Sequence, residues 1–168
     1  MTVAGKPILP AEIMDRVELH PIEDLVLKVL REAFPTTRVY SKIPYNQKPI
    51  EDHFILIRRI SGLGTWEGDD RFLDFAGLGV QVFAKDPQAA LKASLISEAV
   101  RVALRDAVTS HTYHPGLGAL TKVRMDEEPV LKTNWATSAG PVQYADLTAG
   151  YQRYESRFSL WIRRPIWG

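Results

Sequence analysis

Apolar residues recur with a helical period near the start of the chain and again in its middle, and with strand-like spacing in five other stretches. In the first helical segment Ile22, Leu25, Val26, Val29, Leu30 and Ala33 fall on one face, with Lys28, Arg31 and Glu32 largely opposite. Pro21 suits its first position, where a missing N–H has no partner to lose. Glu23 and Asp24 then lie in the first turn, where the helix dipole favours negative charge. Pro35 ends the helix after Phe34.

The strand-like stretches follow. Thr37 to Ile43 alternates and stops before Pro44. In His53 to Ile60, Phe54, Leu56 and Arg58 alternate with Ile55, Ile57 and Arg59. A strand apolar on both faces is a central one, covered twice. Phe72 to Ala84 is the third, and Gly77 and Gly79 in its middle predict a bulge or a bend. A long polar hairpin, Ser61 to Arg71, joins the second and third. The next helix is predicted from an Asp86 N-cap and Pro87 at the first position to about Val108. Leu91, Leu95, Ala99, Val102 and Ala103 form its apolar stripe, and small residues (Ala89, Ala90, Ala93, Ser94) permit close packing on a sheet. Leu120 to Asp126 reads as a fourth strand, and residues 129–150 show no readable period. In the last, Tyr151 to Arg164, Tyr154, Phe158, Leu160 and Ile162 line one face and Arg153, Glu155, Arg157 and Arg163 the other.

The order α-β-β-β-α-β-β predicts an α+β domain, a mostly antiparallel sheet of about five strands with two helices packed on it. Residues 21–168 form that single domain. Residues 1–20, with Pro7 and Pro10, read as an extended arm with one helical turn near Glu12 to Val17.

Composition narrows the chemistry. A chain of 168 residues can bury a core without staples. It contains no cysteine, which excludes disulfides, thiolate zinc sites and cysteine nucleophiles. Its formal net charge of +1 does not make the whole molecule a polyanion binder. The first ten residues lack the charged start and long apolar run of a signal peptide, and no apolar stretch is long enough to span a membrane.

Candidate catalytic constellations are incomplete. Three Gly-Leu-Gly triplets (Gly62 to Gly64, Gly77 to Gly79, Gly116 to Gly118) lack the third glycine of a dinucleotide fingerprint, which would fall at Glu67, Val82 or Thr121. Turns and a bulge account for them. His111 and His114 are three apart, but Pro115 follows directly, and two histidines fall short of a zinc site. No Gly-x-Ser-x-Gly elbow is present. No catalytic, cofactor-binding or metal-binding residue is therefore assigned, and the chain reads as a non-enzyme. Interface candidates are more distinct. Glu67, Asp69, Asp70 and Asp74 cluster around the hairpin, which also carries Trp66. A loop too long for a two-residue turn, with an exposed tryptophan among carboxylates, is expected to contact a neighbouring subunit with Trp66 as its anchor. Arg58 and Arg59 on one strand, with Arg157 and Arg163 on another, would supply the basic counterpart. Solvation, or cross-strand pairing with Glu155 or Asp74, is the plainer account of those arginines. Among Trp135, Trp161 and Trp167, some also lie outside confident core positions.

The chain resembles a family. A helix ending in Arg-Glu-Ala-Phe-Pro (Arg31 to Pro35) is followed by Arg38 to Pro44, reading R-V-Y-S-K-I-P, and an apolar strand ending Arg-Arg-Ile. A Gly- and Asp-rich hairpin and a strand ending Val82 to Asp86, V-F-A-K-D, then feed an alanine-rich helix. Over residues 20–128 this is similar to the tail-terminator, or tail-to-head joining, proteins of long-tailed phages, especially those of actinobacterial hosts. The resemblance implies an α+β virion subunit that forms a homohexameric ring on the last ring of the tail tube, stops tail polymerisation and offers the head-joining surface. It implies as partners its own copies, the major tail tube protein and a head-closure or connector protein, with transient contact with genomic DNA passing through the lumen and none with membrane. It places the protein at the tail-neck junction of the virion after assembly in the host cytoplasm. The alternatives are another neck component, such as a head-closure or adaptor protein, or a small hydrolase or nucleotide-binding enzyme.

Overall fold

A computed structural model describes residues 2–3, 6–7, 9–16, 21–42, 52–60, 73–132 and 151–163. Thr2–Val3 (β1) and Lys6–Pro7 (β2) pair antiparallel. One short helix, Ala11–Met14 (α1), follows, slightly before the predicted turn, and it buries none of its residues. The main body then runs through Ile22–Ala33 (α2), Arg38–Tyr40 (β3), His53–Ile60 (β4), Leu73–Lys85 (β5), Ala89–Thr109 (α3), Ala119–Lys132 (β6) and Tyr151–Arg163 (β7).

The five-stranded sheet has the order β3-β4-β5-β7-β6. β3 runs parallel to β4 and every other pairing is antiparallel. α2 and α3 pack on one face, so the molecule is the α+β domain that the order of elements predicts.

The helix side holds the main core. α2 buries Ile22, Leu25, Val26, Leu27, Val29 and Leu30. These meet Val39, Ile55, Ile57 and the inward residues of β5 and β7, including Val80, Val82, Phe158 and Leu160. The other face carries a second buried cluster, Phe54, Leu56, Phe83 and Tyr151, with Tyr40 against it. Phe54 and Phe83 stack with centroids 4.6 Å apart. Burial on both faces at Phe54 to Ile57 is what the doubly apolar run predicts.

Several local expectations are corrected. Asp86 and Pro87 precede α3 and do not cap it. Gln88 stands at the N-cap, in the left-handed region at φ 60°, and no side chain caps the helix. No bulge accompanies Gly77 or Gly79, because both flanking ladders keep register through them. A side chain added at Gly79 would lie 3.3 Å from the Ile60 side chain, so the glycine serves close packing over the strand. The register shifts fall instead on β6, which continues past Asp126 through Pro129 to Lys132. Gly116 (φ 78°) and Gly118 (φ 95°) do make a turn, closed by pairing of His114 with Gly118.

On α3, Ala89 and Ala93, two of the small residues expected to permit close packing on the sheet, are buried, but the expected apolar stripe is not the buried face. Ala89, Ala93, Ser97, Val100 and Leu104 are buried, whereas Leu91 and Leu95 are 54% and 61% exposed. α3 lies across β5, β7 and β6, and small side chains let its backbone approach them. Ser97 is tolerated there because its hydroxyl donates to the Ala93 carbonyl at 2.8 Å.

Candidate functional site

Side-chain alternation sorts the charged residues of the sheet by face. Arg58 pairs with Gly79, and Gly79 pairs in turn with Arg157, so both arginines stand in one cross-strand row on the face away from the helices. One strand, β5, lies between them, so they stand two strand spacings apart, about 10 Å. Gly79 puts no side chain between them. Glu127 completes the row, with its carboxylate 3.3 Å from Arg157 Nε. Arg163 has the same parity as Arg157 and is exposed at the end of β7. Arg59 does not join this group. Its side chain has the opposite parity, and its backbone N–H donates to Glu23 Oε1 at 3.0 Å, tying β4 to the start of α2.

The basic row is thus real for Arg58 and Arg157, and one carboxylate that meets it comes from β6, which the sequence reading did not name as a partner. Asp74 lies at the start of β5 opposite Ile162 and accepts a hydrogen bond from the Phe75 N–H at 2.8 Å. Trp66, Glu67, Asp69 and Asp70 lie outside the described residues, as do Trp135 and Trp167. Ile60 and Leu73, which bracket the hairpin, stand at the same end of the sheet as Arg163.

Arg153 departs from expectation. Its position predicts an exposed charge, yet it is 1% exposed. It pairs with Phe83 across the ladder, at the end of the outer face where Phe54, Phe83 and Tyr151 are buried. Its hydrocarbon stem suits that apolar setting, and Glu155 stands 4.0 Å from its Nη1.

A polar cluster that sequence reasoning missed lies nearby on β6 and β7. Arg124 Nε pairs with Asp126 at 2.7 Å, and Ser159 donates its hydroxyl to the same carboxylate. Burial acts to raise the Asp126 carboxyl, but the Ser159 hydrogen bond and the Arg124 charge outweigh it and hold the group below the usual aspartate range. Lys122 Nζ sits 4.8 Å from the Trp161 ring centre and the Arg124 guanidinium 5.7 Å, while Phe75 packs against the same ring. The only signal in the sequence was alternation of Lys122 and Arg124 with opposite-parity neighbours. The bulges of β6 hide which residue of β7 each one meets.

β6 forms one edge of the sheet among the described strands. Register shifts, Pro129 and the charged run Asp126 to Glu128 guard it against strand addition. At the other edge, Arg31 donates to the Val39 carbonyl at 2.9 Å and covers β3.

A cleft of about 620 Å³ opens between the C-terminal half of α3 and the end of α2. Its lining is mainly apolar, with Val29, Phe34, Ala99, Val102 and Ala103, and Glu32 and Asp106 stand at its rim. His114 closes one end, 6% exposed, with Nδ1 4.0 Å from Glu32. His111, by contrast, is exposed just past α3 at φ 51°, so the two histidines share no face. Among the described residues, no group of three or more histidines and carboxylates is placed to hold a metal ion, and no helix is long and apolar enough to cross a membrane. Compared with known proteins, the chain matches no family model and no curated protein.

Proposed function

We propose that this chain is a structural virion subunit of the tail-terminator type, which acts by assembling into a ring that caps a phage tail tube and receives the head connector. The observation that carries the reading is where the resembling segments fall. Arg31 to Pro35 ends α2, Arg38 to Tyr40 is the edge strand β3, and Val82 to Asp86 is the passage from β5 toward α3. The resemblance thus follows the skeleton of the domain and is not confined to one loop.

The surface supports a binding role. A ring requires two different patches on each copy that fit one another and close. The molecule offers an arginine row on the outer sheet face, exposed leucines on α3 and a guarded sheet edge, all on different sides. In this reading the hairpin bearing Trp66, Glu67, Asp69 and Asp70 meets the basic row of a neighbour or the tail tube, and the same row faces DNA in transit.

Native mass measurement of the purified protein tests the reading. A homohexamer that binds isolated tail tubes and blocks their further growth supports it. A ring that ignores tail tubes and binds only a head connector moves the assignment to a head-closure or adaptor protein. A stable monomer that retains a small ligand overturns it in favour of an enzyme.

A further inference from the structure

A hydroxyl, an imidazole and a carboxylate stand in series where β3 and β4 begin. β3 runs parallel to β4 with Arg38 beside Phe54, so Thr37 and His53, one step earlier, also lie side by side. The Thr37 N–H donates to the Phe34 carbonyl at 3.2 Å and closes the turn that leads from α2 into β3. The Thr37 hydroxyl lies 3.1 Å from His53 Nε2, and His53 Nδ1 lies 3.3 Å from Asp52 Oδ2. Lys92 reaches from α3 to donate to Asp52 Oδ1 at 2.8 Å and to the Lys85 carbonyl at 3.1 Å. The Lys92 ammonium, and after it the His53 ring, hold the Asp52 carboxyl below the usual aspartate range. An ionised Asp52 accepts from the Nδ1–H of the neutral ring, which leaves the Nε2 lone pair to accept from Thr37. Stapling two strand ends needs only one ring nitrogen. Here both are used, in the order of nucleophile, base and a third group that orients the base. Thr37 also lines a cavity of about 510 Å³, walled by Phe34, Pro35, Val39 and Tyr40, with Arg31 and Arg38 as its charged residues. Among the described residues no carboxylate lines it, so it favours a negatively charged guest. Sequence motifs do not reveal the site, because Thr37 and His53 are 16 positions apart.

We propose that Thr37 and His53, oriented by Asp52, form an acyl-transfer site that hydrolyses small carboxylic esters bearing a separate anionic group. The inference goes beyond the ring reading and does not rest on it. His53 Nε2 takes the proton of the Thr37 hydroxyl as the hydroxyl oxygen attacks the ester carbonyl carbon. The tetrahedral adduct collapses, the bond from carbonyl carbon to alkoxide breaks, and the alkoxide takes that proton from Nε2 and leaves as an alcohol. Water then attacks the acyl-threonine and gives a proton to Nε2. The bond between Thr37 and the acyl carbon breaks, the Thr37 oxygen regains the proton, and the carboxylic acid departs. Water is the only co-reactant. Asp52 stays ionised throughout and acts as a positioning residue, holding the ring and favouring its protonated form during transfer. Arg31 and Arg38 supply the positive wall that the anionic group of the substrate meets, and Phe34 and Val39 the apolar wall for its hydrocarbon part.

The test uses the full chain with para-nitrophenyl hemisuccinate, an activated ester with a free carboxylate. It reads nitrophenolate release and, after acid quench, the mass of the intact chain and of its peptides. Wild type releases nitrophenolate faster than buffer and carries the succinyl group on Thr37. Thr37→Val, which keeps the shape and removes the hydroxyl, loses both, and Thr37→Ser keeps both. His53→Gln lowers kcat about a hundredfold. Asp52→Asn lowers kcat about tenfold or more with KM unchanged, and Asp52→Glu recovers part of the loss. The uncharged ester para-nitrophenyl acetate reacts with a kcat/KM about tenfold lower. Thermal unfolding near wild type separates lost chemistry from a lost fold, and the mapped acyl group on wild type reports on Thr37 without any variant. Release at the buffer rate, acylation confined to lysines, or Thr37→Val working at the wild-type rate overturns the proposal. Equal reaction of the two esters overturns the anionic substrate class. Native mass decides the ring reading separately, whichever way these rates fall.

Discussion

α2 and α3 are both amphipathic, yet they spend their large apolar residues in opposite directions. α2 turns Ile22, Leu25, Val26, Val29 and Leu30 into the core. α3 turns Leu91 and Leu95 to solvent and seats Ala93, Ser97 and Val100 on the sheet. The difference lies in what each helix covers. α2 sits over the short strand β3 and the adjacent β4, where long side chains fill the space. α3 crosses three strands whose inward residues include Val80, Phe158 and Leu160, and those supply the volume from below. Close-packed interiors have a fixed space to fill, so the helix over a bulky sheet contributes its small stripe. A helix with small residues all round has more than one apolar face, and the sheet selects between them.

The largest effect falls where the helices agree. Leu30 on α2 and Leu104 on α3 are both fully buried in the same cluster. Leu30→Ala and Leu104→Ala should each cost about 2–5 kcal/mol in chemical denaturation, from lost transfer energy and the cavity left behind. Phe158→Ala beneath α3 and Leu56→Ala on the other face belong to the same class. A cost under about 1 kcal/mol at Leu104 alone would break the comparison, because it would mean that α3 rests loosely on the sheet.

Next is a change that should distinguish the two faces of α3. Ala93 is fully buried against the sheet and Ala103 is half-buried on the cleft wall. Ala93→Leu should destabilise by about 1–3 kcal/mol through overpacking. Ala103→Leu has the cleft to occupy and should be close to neutral. Equal costs would show that small residues on α3 do not mark the contact face.

That pair also locates the limit of what was legible. The α2 face, the bounds of β4, the approximate spans of β5 and β7 and the α+β class could all be read, because large apolar residues either recurred at a single period, as in α2 and β7, or ran together in a short bounded stretch, as in β4 and β5. α3 could be found but not oriented, since Ala89, Ala90, Ala93, Ala99, Ala103 and Ala107 give apolar character on several sides. The burial of Arg153 was hidden because it depends on which residues of β5 lie beside it, Phe83 in this case. The Arg58–Gly79–Arg157 row was half legible. The strands were visible, but that they stand two apart around a glycine is a matter of register.

A smaller effect tests the outer face, where polar contacts replace the apolar contacts of the helices. Asp126 holds Arg124 and Ser159 together, and its carboxyl lies below the usual aspartate range. Its contribution to stability is therefore present above the unfolded-state value of about 3.9. It is lost as pH falls from there through the lower folded value. Asp126→Asn should cost about 1 kcal/mol at neutral pH, since Arg124 is well exposed and its pairing is screened. The gap between wild type and variant, read from urea midpoints, should close toward pH 3. A gap that widens on acidification would contradict the depressed carboxyl.

The smallest predicted effect is the sharpest test of the contrast between the helices. Leu91→Gln with Leu95→Gln removes two large apolar side chains from a helix, which on α2 would unfold much of the molecule. Both positions are more than half exposed, and glutamine has nearly the helix propensity of leucine. The monomer, measured at a concentration too low for assembly, should keep its urea midpoint within about 0.5 kcal/mol and its denaturant slope unchanged. An unchanged slope matters as much as the midpoint, because it shows that the same surface is exposed on unfolding and that α3 stays docked through its small stripe. A loss of 2 kcal/mol or more would mean that Leu91 and Leu95 are covered by the chain's own residues, and the two helices would then differ only in composition and not in the direction they face.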